Sequence, residues 1–158
     1  MVNVLDKVQP KNRIQLEQLI DYAFKHNIYD LNFIDTSKIT DMSNLFINCE
    51  YGIDVSNWDV SNVTNMSAMF YYCKNLDCDL SNWDVSNVTN MAGMFAGCEK
   101  FDCDLSRWNV SNVKYIYFMF HNCKKFNSDM SNWNVTKAKS TLNMFNGCDK
   151  MTIPNWYK

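Results

Sequence analysis

Hydrophobic residues recur along this chain as a block. Between 79 and 103 the apolar positions are Leu80, Trp83, Val85, Val88, Met91, Met94, Phe95, Cys98 and Phe101, and closely similar sets precede and follow. Trp58, Trp83, Trp108 and Trp133 are each 25 residues apart, as are Cys73, Cys98, Cys123 and Cys148. A fixed period of about 20–50 residues marks units that bury their apolar side only by stacking on neighbours. The spacing of the first five positions is that of a leucine-rich repeat. Trp83 and Val85, two apart, predict a short parallel strand, and Met91, Met94, Phe95 and Cys98 predict a helical or 3₁₀ return. The expected fold is therefore an α/β solenoid, leucine-rich-repeat-like, with coils at 31–53, 54–78, 79–103, 104–128 and 129–151. A concave strand surface would carry Ser81, Asn82, Asp84, Ser86 and Asn87.

Both ends of this array read as lids. Residues 10–26 open with Pro10 and space Leu16, Leu19, Ile20, Ala23 and Phe24 along one helical face, so 1–30 is expected as an N-terminal helical cap. Residues 152–158 begin another copy, with Trp156 and with Pro154 where a further strand would pair, and are expected as a C-terminal cap. Two capped ends suggest a complete short protein.

The residues from 58 to 73 and from 83 to 98, each running W-D-V-S-N-V-T-N-M-x-x-M-F-x-x-C, resemble the BspA-type leucine-rich repeat, a family also known from mycoplasma lipoproteins of unknown function. The segment 30–49 resembles that family's first coil after an N-terminal helix. The resemblance implies a curved solenoid with protein-binding roles, often at bacterial surfaces, and supplies no catalytic residues. Surface members carry signal peptides and anchors, for which this sequence gives no sign.

Composition narrows the function classes. With 158 residues, 47% of them apolar, and only 4 Gly and 2 Pro, the chain has the makings of a folded domain. A formal net charge of −2 gives no global pull toward nucleic acid or anionic membrane. The start of the chain lacks a signal-peptide core and no run approaches 18 apolar residues, so the chain as given is expected to be cytoplasmic, or at the cell surface if a leader has been trimmed. Seven cysteines, an odd number, without an export signal favour free thiols over a disulfide scaffold.

Four features invite a chemical reading. The cysteine column has the spacing for disulfides or zinc, but Phe-x-x-Cys places each thiol in an inward turn, where Cys serves as a small buried residue; no metal is expected. Asp54, Asp79, Asp104 and Asp129 form one acidic column, and Asp35, Asp59 and Asp84 begin another that turns to Asn109 and Asn134. Asx turns or solvation explain these better than calcium, since there is one carboxylate per coil and no Gly-rich calcium loop. The two histidines, His26 and His121, accompany no nucleophile elbow, phosphate loop or metal-spaced pair, so no catalytic residue and no cofactor is assigned. The fourth feature is where the repeat breaks. Tyr71 and Tyr72 stand where the next copy has Ala96 and Gly97, and Tyr115, Tyr117 and Phe118 stand where it has Asn90, Ala92 and Gly93. One reading is a protein-binding hot spot; the other is local gap filling.

Charge breaks the symmetry too. Residues 54–103 carry two lysines against seven acidic residues, a formal −5, whereas 104–151 carry seven basic residues against three acidic, a formal +4. The expected function is a non-enzymatic interaction module, with Tyr71, Tyr72, Tyr115, Tyr117, Phe118, Lys114, Lys124 and Lys125 contacting a protein partner. An inhibitor or immunity-type protein blocking an intracellular enzyme is an alternative, as are a surface adhesion repeat and a self-assembling repeat using the opposite charge of its halves. Nucleic acid and membrane are not expected as partners.

Overall fold

The computed structural model describes residues 7–158; residues 1–6 of the expected N-terminal cap lie outside the described residues. The first element is α1, Arg13–Lys25, a little shorter than the expected 10–26. Asn12 caps it by accepting from the Gln15 N–H at 3.0 Å, while the Gln15 side chain accepts from the Lys11 N–H at 2.8 Å, so two otherwise orphan donors are satisfied. Leu16, Ile20 and Ala23 are its buried stripe, and the Phe24 ring meets Phe46 at 6.4 Å. Arg13 donates to Asp41 and to the Ser43 carbonyl, tying the helix to the first copy of the repeat.

The expected α/β solenoid of five coils is not what forms. Among the described residues there is one α-helix and no strand, only isolated parallel bridges such as Asp41 with Asn65, Asn65 with Asn90 and Asn90 with Tyr115. The returns are neither α nor 3₁₀. Each copy is a succession of β-turns. Trp83 N–H bonds to the Leu80 carbonyl (3.1 Å) and Val88 N–H to the Val85 carbonyl (2.9 Å), closing two turns of five-residue spacing. Asp79 and Asp84 precede them, each accepting from the backbone N–H two residues on at 3.0 Å, as an Asx turn does. Asp84, between Trp83 and Val85, is thus a joint between two turns. That is why a period-two pair there makes no strand. The return consists of two more turns, Met91 to Met94 and Phe95 to Cys98, whose third residues, Gly93 and Gly97, have φ of 63° and 78°. A positive φ at only the third residue selects type II.

Both conformations point the same residues inward, so the expected core is found. Leu80, Trp83, Val85, Val88, Met91, Met94, Phe95, Cys98 and Phe101 are all buried. Successive copies lie one on another: rings of Phe46, Phe70, Phe95 and Phe120 stack 5.6 Å apart, and Phe145 follows at 5.9 Å.

With no sheet, each copy's polar backbone needs other partners. In the return the backbone supplies them: the N–H groups of Ala68, Phe70 and Tyr72 bond to the carbonyls of Ala92, Met94 and Ala96 at 2.7–2.9 Å, and those of Gly93, Phe95 and Gly97 reach Tyr117, Met119 and His121. At the other corners side chains do it. The indole N–H groups of Trp58, Trp108 and Trp133 donate to the carbonyls of Leu31, Leu80 and Leu105 at 2.9–3.0 Å. Asn62, Asn87 and Asn112 donate to Ser37, Ser61 and Ser86, each at 2.8 Å. The expected outward strand surface is replaced by this ladder, to which Asn87 belongs.

The candidate functional site is a groove between aromatic ridges

The groove lies on the return side of three successive copies. Tyr71 and Tyr72 form one wall; Tyr117, Phe118 and His121 form the other; Ala92, Gly93 and Ala96 are the floor of a space of about 460 Å³. The small residues of the 79–103 copy create it. A Cβ added at Gly97 would lie 3.0 Å from Cγ and Cδ1 of Tyr72, so that ring leans over a position only glycine leaves room for. The Tyr71 and Tyr72 rings meet edge to face at 4.7 Å, as do Phe118 and His121 at 5.5 Å. Tyr71, Tyr72 and Tyr117 are 38–40% exposed, so each ring is partly packed and partly offered to solvent. Nδ1 of His121 is buried beside them with no hydrogen-bond partner among the described residues.

Backbone conformation marks the same place. The left-handed residues of the described chain are mostly Asn (27, 44, 48, 122, 143) or Gly (93, 97, 147), the two types that tolerate positive φ. The exceptions are Ala68, Tyr72 and Phe118, with φ of 52°, 58° and 57°. All three line the groove.

The other expected contact residues are placed differently. Tyr115 lies outside the groove lining, with its hydroxyl 3.0 Å from Lys139 Nζ. The same ammonium lies over the ring, 4.9 Å from its centroid, and its hydrogen bond to the hydroxyl lowers the phenol pKa. Lys114 precedes Tyr115 in the column Thr40, Thr64, Thr89, Lys114, whose N–H groups bond carbonyls of the preceding copy from Thr64 onward. Lys124 is paired with Glu99 at 2.9 Å, and Glu99 also meets Lys74 at 3.3 Å, making an exposed ladder near Tyr72. Lys125 is exposed and outside the groove.

The columns that invited metal chemistry serve the stack. All seven cysteines are free thiols. Cys73, Cys98, Cys123 and Cys148 donate to the carbonyls of Phe46, Phe70, Phe95 and Phe120 at 2.8–3.0 Å, a bonding role beyond that of a small buried residue. Cys103 accepts the Leu80 N–H where the next copy uses the Ser128 hydroxyl for Leu105. Burial pushes the thiols of Cys73 and Cys78 up to about 12 and those of Cys103 and Cys148 up to about 11. Asp79 and Asp84 are lowered by Ser81 and Ser86, through hydroxyl and then backbone N–H; Asp104 and Asp129 are lowered first by the backbone N–H groups of Ser106 and Ser131. Among the described residues, no group of three His, Cys, Asp or Glu is arranged to hold a metal ion.

One protein family matches this chain, over residues 14–51 and 40–156: a Mycoplasma protein of unknown function, DUF285. The chain belongs to this family. Membership establishes a mycoplasma-type repeat family and assigns no activity. No curated protein and no solved structure matches the chain.

Sequence reasoning left Ala68 and His121 off the list of contact residues. Ala68 carried no signal on its own, because its left-handed backbone is visible only against Asn44, Gly93, Phe118 and Asn143 in the same column. His121 was visible as a break in the repeat, standing where the preceding copy has Ala96.

Proposed function

We propose that this chain is a non-enzymatic protein-binding module whose contact surface is the groove bounded by Tyr71, Tyr72, Tyr117, Phe118 and His121. The observation that carries this reading is the left-handed backbone at two aromatic residues, Tyr72 and Phe118. A side chain in that conformation costs about 1–2 kcal/mol, and Asn or Gly meets the same need elsewhere in this chain. Placing rings there at that cost is accounted for when the rings do something the stack does not require. Partly exposed aromatic side chains flanking a narrow cleft are the side chains most enriched where binding energy concentrates. The resemblance to the BspA-type repeat points the same way, since it implies protein-binding roles.

The test uses a double variant, Tyr72→Asn with Phe118→Asn, which gives both positions the residue type found at Asn48 and Asn143. Its melting temperature is expected to equal or exceed that of the parent chain. In parallel affinity captures, with every captured protein quantified, at least one protein held by the parent is expected to be lost by the variant. Equal recovery of every captured protein by both would overturn the reading.

A further inference from the structure

We infer that the 129–151 end of the stack is a second protein-binding face, apart from the groove, which takes a main-chain segment of another protein as if it were one more return. Each return sends three N–H groups, on alternate residues, to carbonyls of the copy that follows. Asn44, Phe46 and Asn48 bond to Ser67, Met69 and Tyr71, and Phe118, Phe120 and Asn122 bond to Leu142, Met144 and Asn146, all at 2.8–3.0 Å. The equivalent groups of the 129–151 copy belong to Asn143, Phe145 and Gly147, and among the described residues none of the three has an acceptor. The return is nonetheless fully formed. Met144 N–H bonds to the Thr141 carbonyl and Cys148 N–H to that of Phe145, both at 3.1 Å, and Asn143 and Gly147 keep left-handed φ values of 53° and 78°. Three donors are thus held in the conformation that binds carbonyls at the earlier junctions, and an incoming segment meets a preorganised row.

Residues 152–158 fill the apolar side of this end and leave the row without acceptors. Trp156 donates to the Met130 carbonyl at 2.7 Å, continuing the indole column, and its ring lies 6.0 Å from Phe145, as Trp133 lies 6.1 Å from Phe120. The Tyr157 ring, 5.1 Å from Phe145, stands where a following copy would stack its phenylalanine. What this end lacks is carbonyls. The row dictates its occupant. Carrying N–H groups only, it has partial positive charge and fits acceptors alone, unlike a strand edge, which offers donors and acceptors together. The acceptors must come on alternate residues. The residue after the middle one must be small, because Tyr157 holds the place of the phenylalanine that this repeat has there. A second copy of the chain does not meet these terms. Its own 129–151 end sets donors against donors, and at its other end Arg13 occupies the Ser43 carbonyl while Phe24 of α1 lies against Phe46 at 6.4 Å. The occupant is therefore a segment of a different protein, recognised by its main-chain carbonyls.

Amide hydrogen exchange on the full chain, read residue by residue by NMR, tests the row and its occupant. In the free chain Asn143, Phe145 and Gly147 should exchange at least about a hundredfold faster than Phe118, Phe120 and Asn122, while Met144 and Cys148, bonded within the return, stay protected. Equal protection of the two rows, or fast exchange at Met144 and Cys148 as well, would overturn the preformed open row. The probe is a synthetic peptide of residues 65–72, blocked at both ends and carrying Phe70→Gly, which offers the carbonyls of Ser67, Met69 and Tyr71. At millimolar concentration it should slow Asn143, Phe145 and Gly147 at least about tenfold, and the peptide that keeps Phe70 should slow them less. With a Tyr157→Ala chain that order should reverse. No slowing by the Gly peptide, or no reversal, would overturn the inference. Equal slowing by sodium sulfate would make the row an anion site and overturn the occupant. The peptide effect should persist in the Tyr72→Asn with Phe118→Asn chain, whose captured proteins test the groove alone; its disappearance there would place the peptide in the groove and overturn the end face.

Discussion

Trp108 separates a core held by apolar contact alone from one in which side chains also bond the layers. Its indole is 4% exposed, lies parallel to that of Trp83 at 6.4 Å, and donates Nε1–H to the Leu80 carbonyl at 3.0 Å. Leu80 is fully buried and its carbonyl also accepts the Trp83 N–H at 3.1 Å, so removing the indole leaves that carbonyl with one bond in place of two and no water to make up the second. Trp108→Phe keeps a large aromatic ring in the stack but removes one of the two hydrogen bonds to that carbonyl, a loss of roughly 0.5–1.5 kcal/mol, and the smaller ring leaves a cavity costing about 1 kcal/mol more. Trp108→Ala should cost at least about 3–5 kcal/mol. The expected signature is that Phe forfeits about half of what Ala does, whereas in a core held by apolar contact alone it would forfeit only the smaller cavity cost. Urea unfolding followed by circular dichroism, with the slope checked for constancy, measures both. A Trp108→Phe chain within about 0.5 kcal/mol of the parent would refute the idea that indole donors replace strand hydrogen bonds.

Three further outcomes follow from the same geometry. Gly97→Ala should destabilise by more than the roughly 1 kcal/mol that a left-handed alanine costs, because its Cβ meets the Tyr72 ring at 3.0 Å; in a Tyr72→Ala background only the backbone part should remain, which a double-mutant cycle by thermal melting reads directly. Stability should fall as pH rises above about 9, since the folded chain holds the protons of Cys73 and Cys78 up to about 12 while the unfolded chain releases them near the ordinary thiol value; stability flat to pH 10.5, or rising, would contradict this. Asp84→Asn should be nearly neutral at pH 7, because Asn109 and Asn134 accept the same backbone bonds one and two copies on, whereas Asp84→Ala should cost roughly 0.5–1.5 kcal/mol in urea unfolding.

The inward residues were legible and the backbone was not, for one reason. Leu80, Trp83, Val85 and Val88 face the core whether Trp83 to Val85 is a strand or a joint between two turns, so apolar spacing cannot tell these apart. The discriminating signal lay in the polar residues. Asp-x-Ser recurs at Asp79 and Asp84, and in each case the Asp turns back onto the following backbone, which an extended strand would not allow. Asn and Gly alternate at 44, 93 and 143 and at 48, 97, 122 and 147, a signature of required positive φ that rules out a helical return. The aromatic breaks were legible as exceptions, but their assembly was not. Tyr71, Tyr72, Tyr117 and Phe118 share one groove because they occupy the return, whereas Tyr115, Lys124 and Lys125 fall outside it.

The division of labour between corners explains why variation collects on one face. At the Trp and Val turns the layers are joined by side chains, so Trp108, Asn87 and their counterparts are fixed as hydrogen-bond donors as well as by packing. In the return the layers are joined by backbone N–H and C=O groups, every second residue reaching the next copy. A backbone ladder asks nothing of the outward side chains except that two columns tolerate positive φ. The column Ser67, Ala92, Tyr117, Leu142 and the column Tyr71, Ala96, His121, Asn146 are correspondingly diverse, while the corner sequence Asp-x-Ser-x-Trp persists from copy to copy. A recognition surface built on this scaffold has one place where residues can be exchanged without cutting a bond between layers, and that place is where Tyr72 and Phe118 occupy left-handed positions.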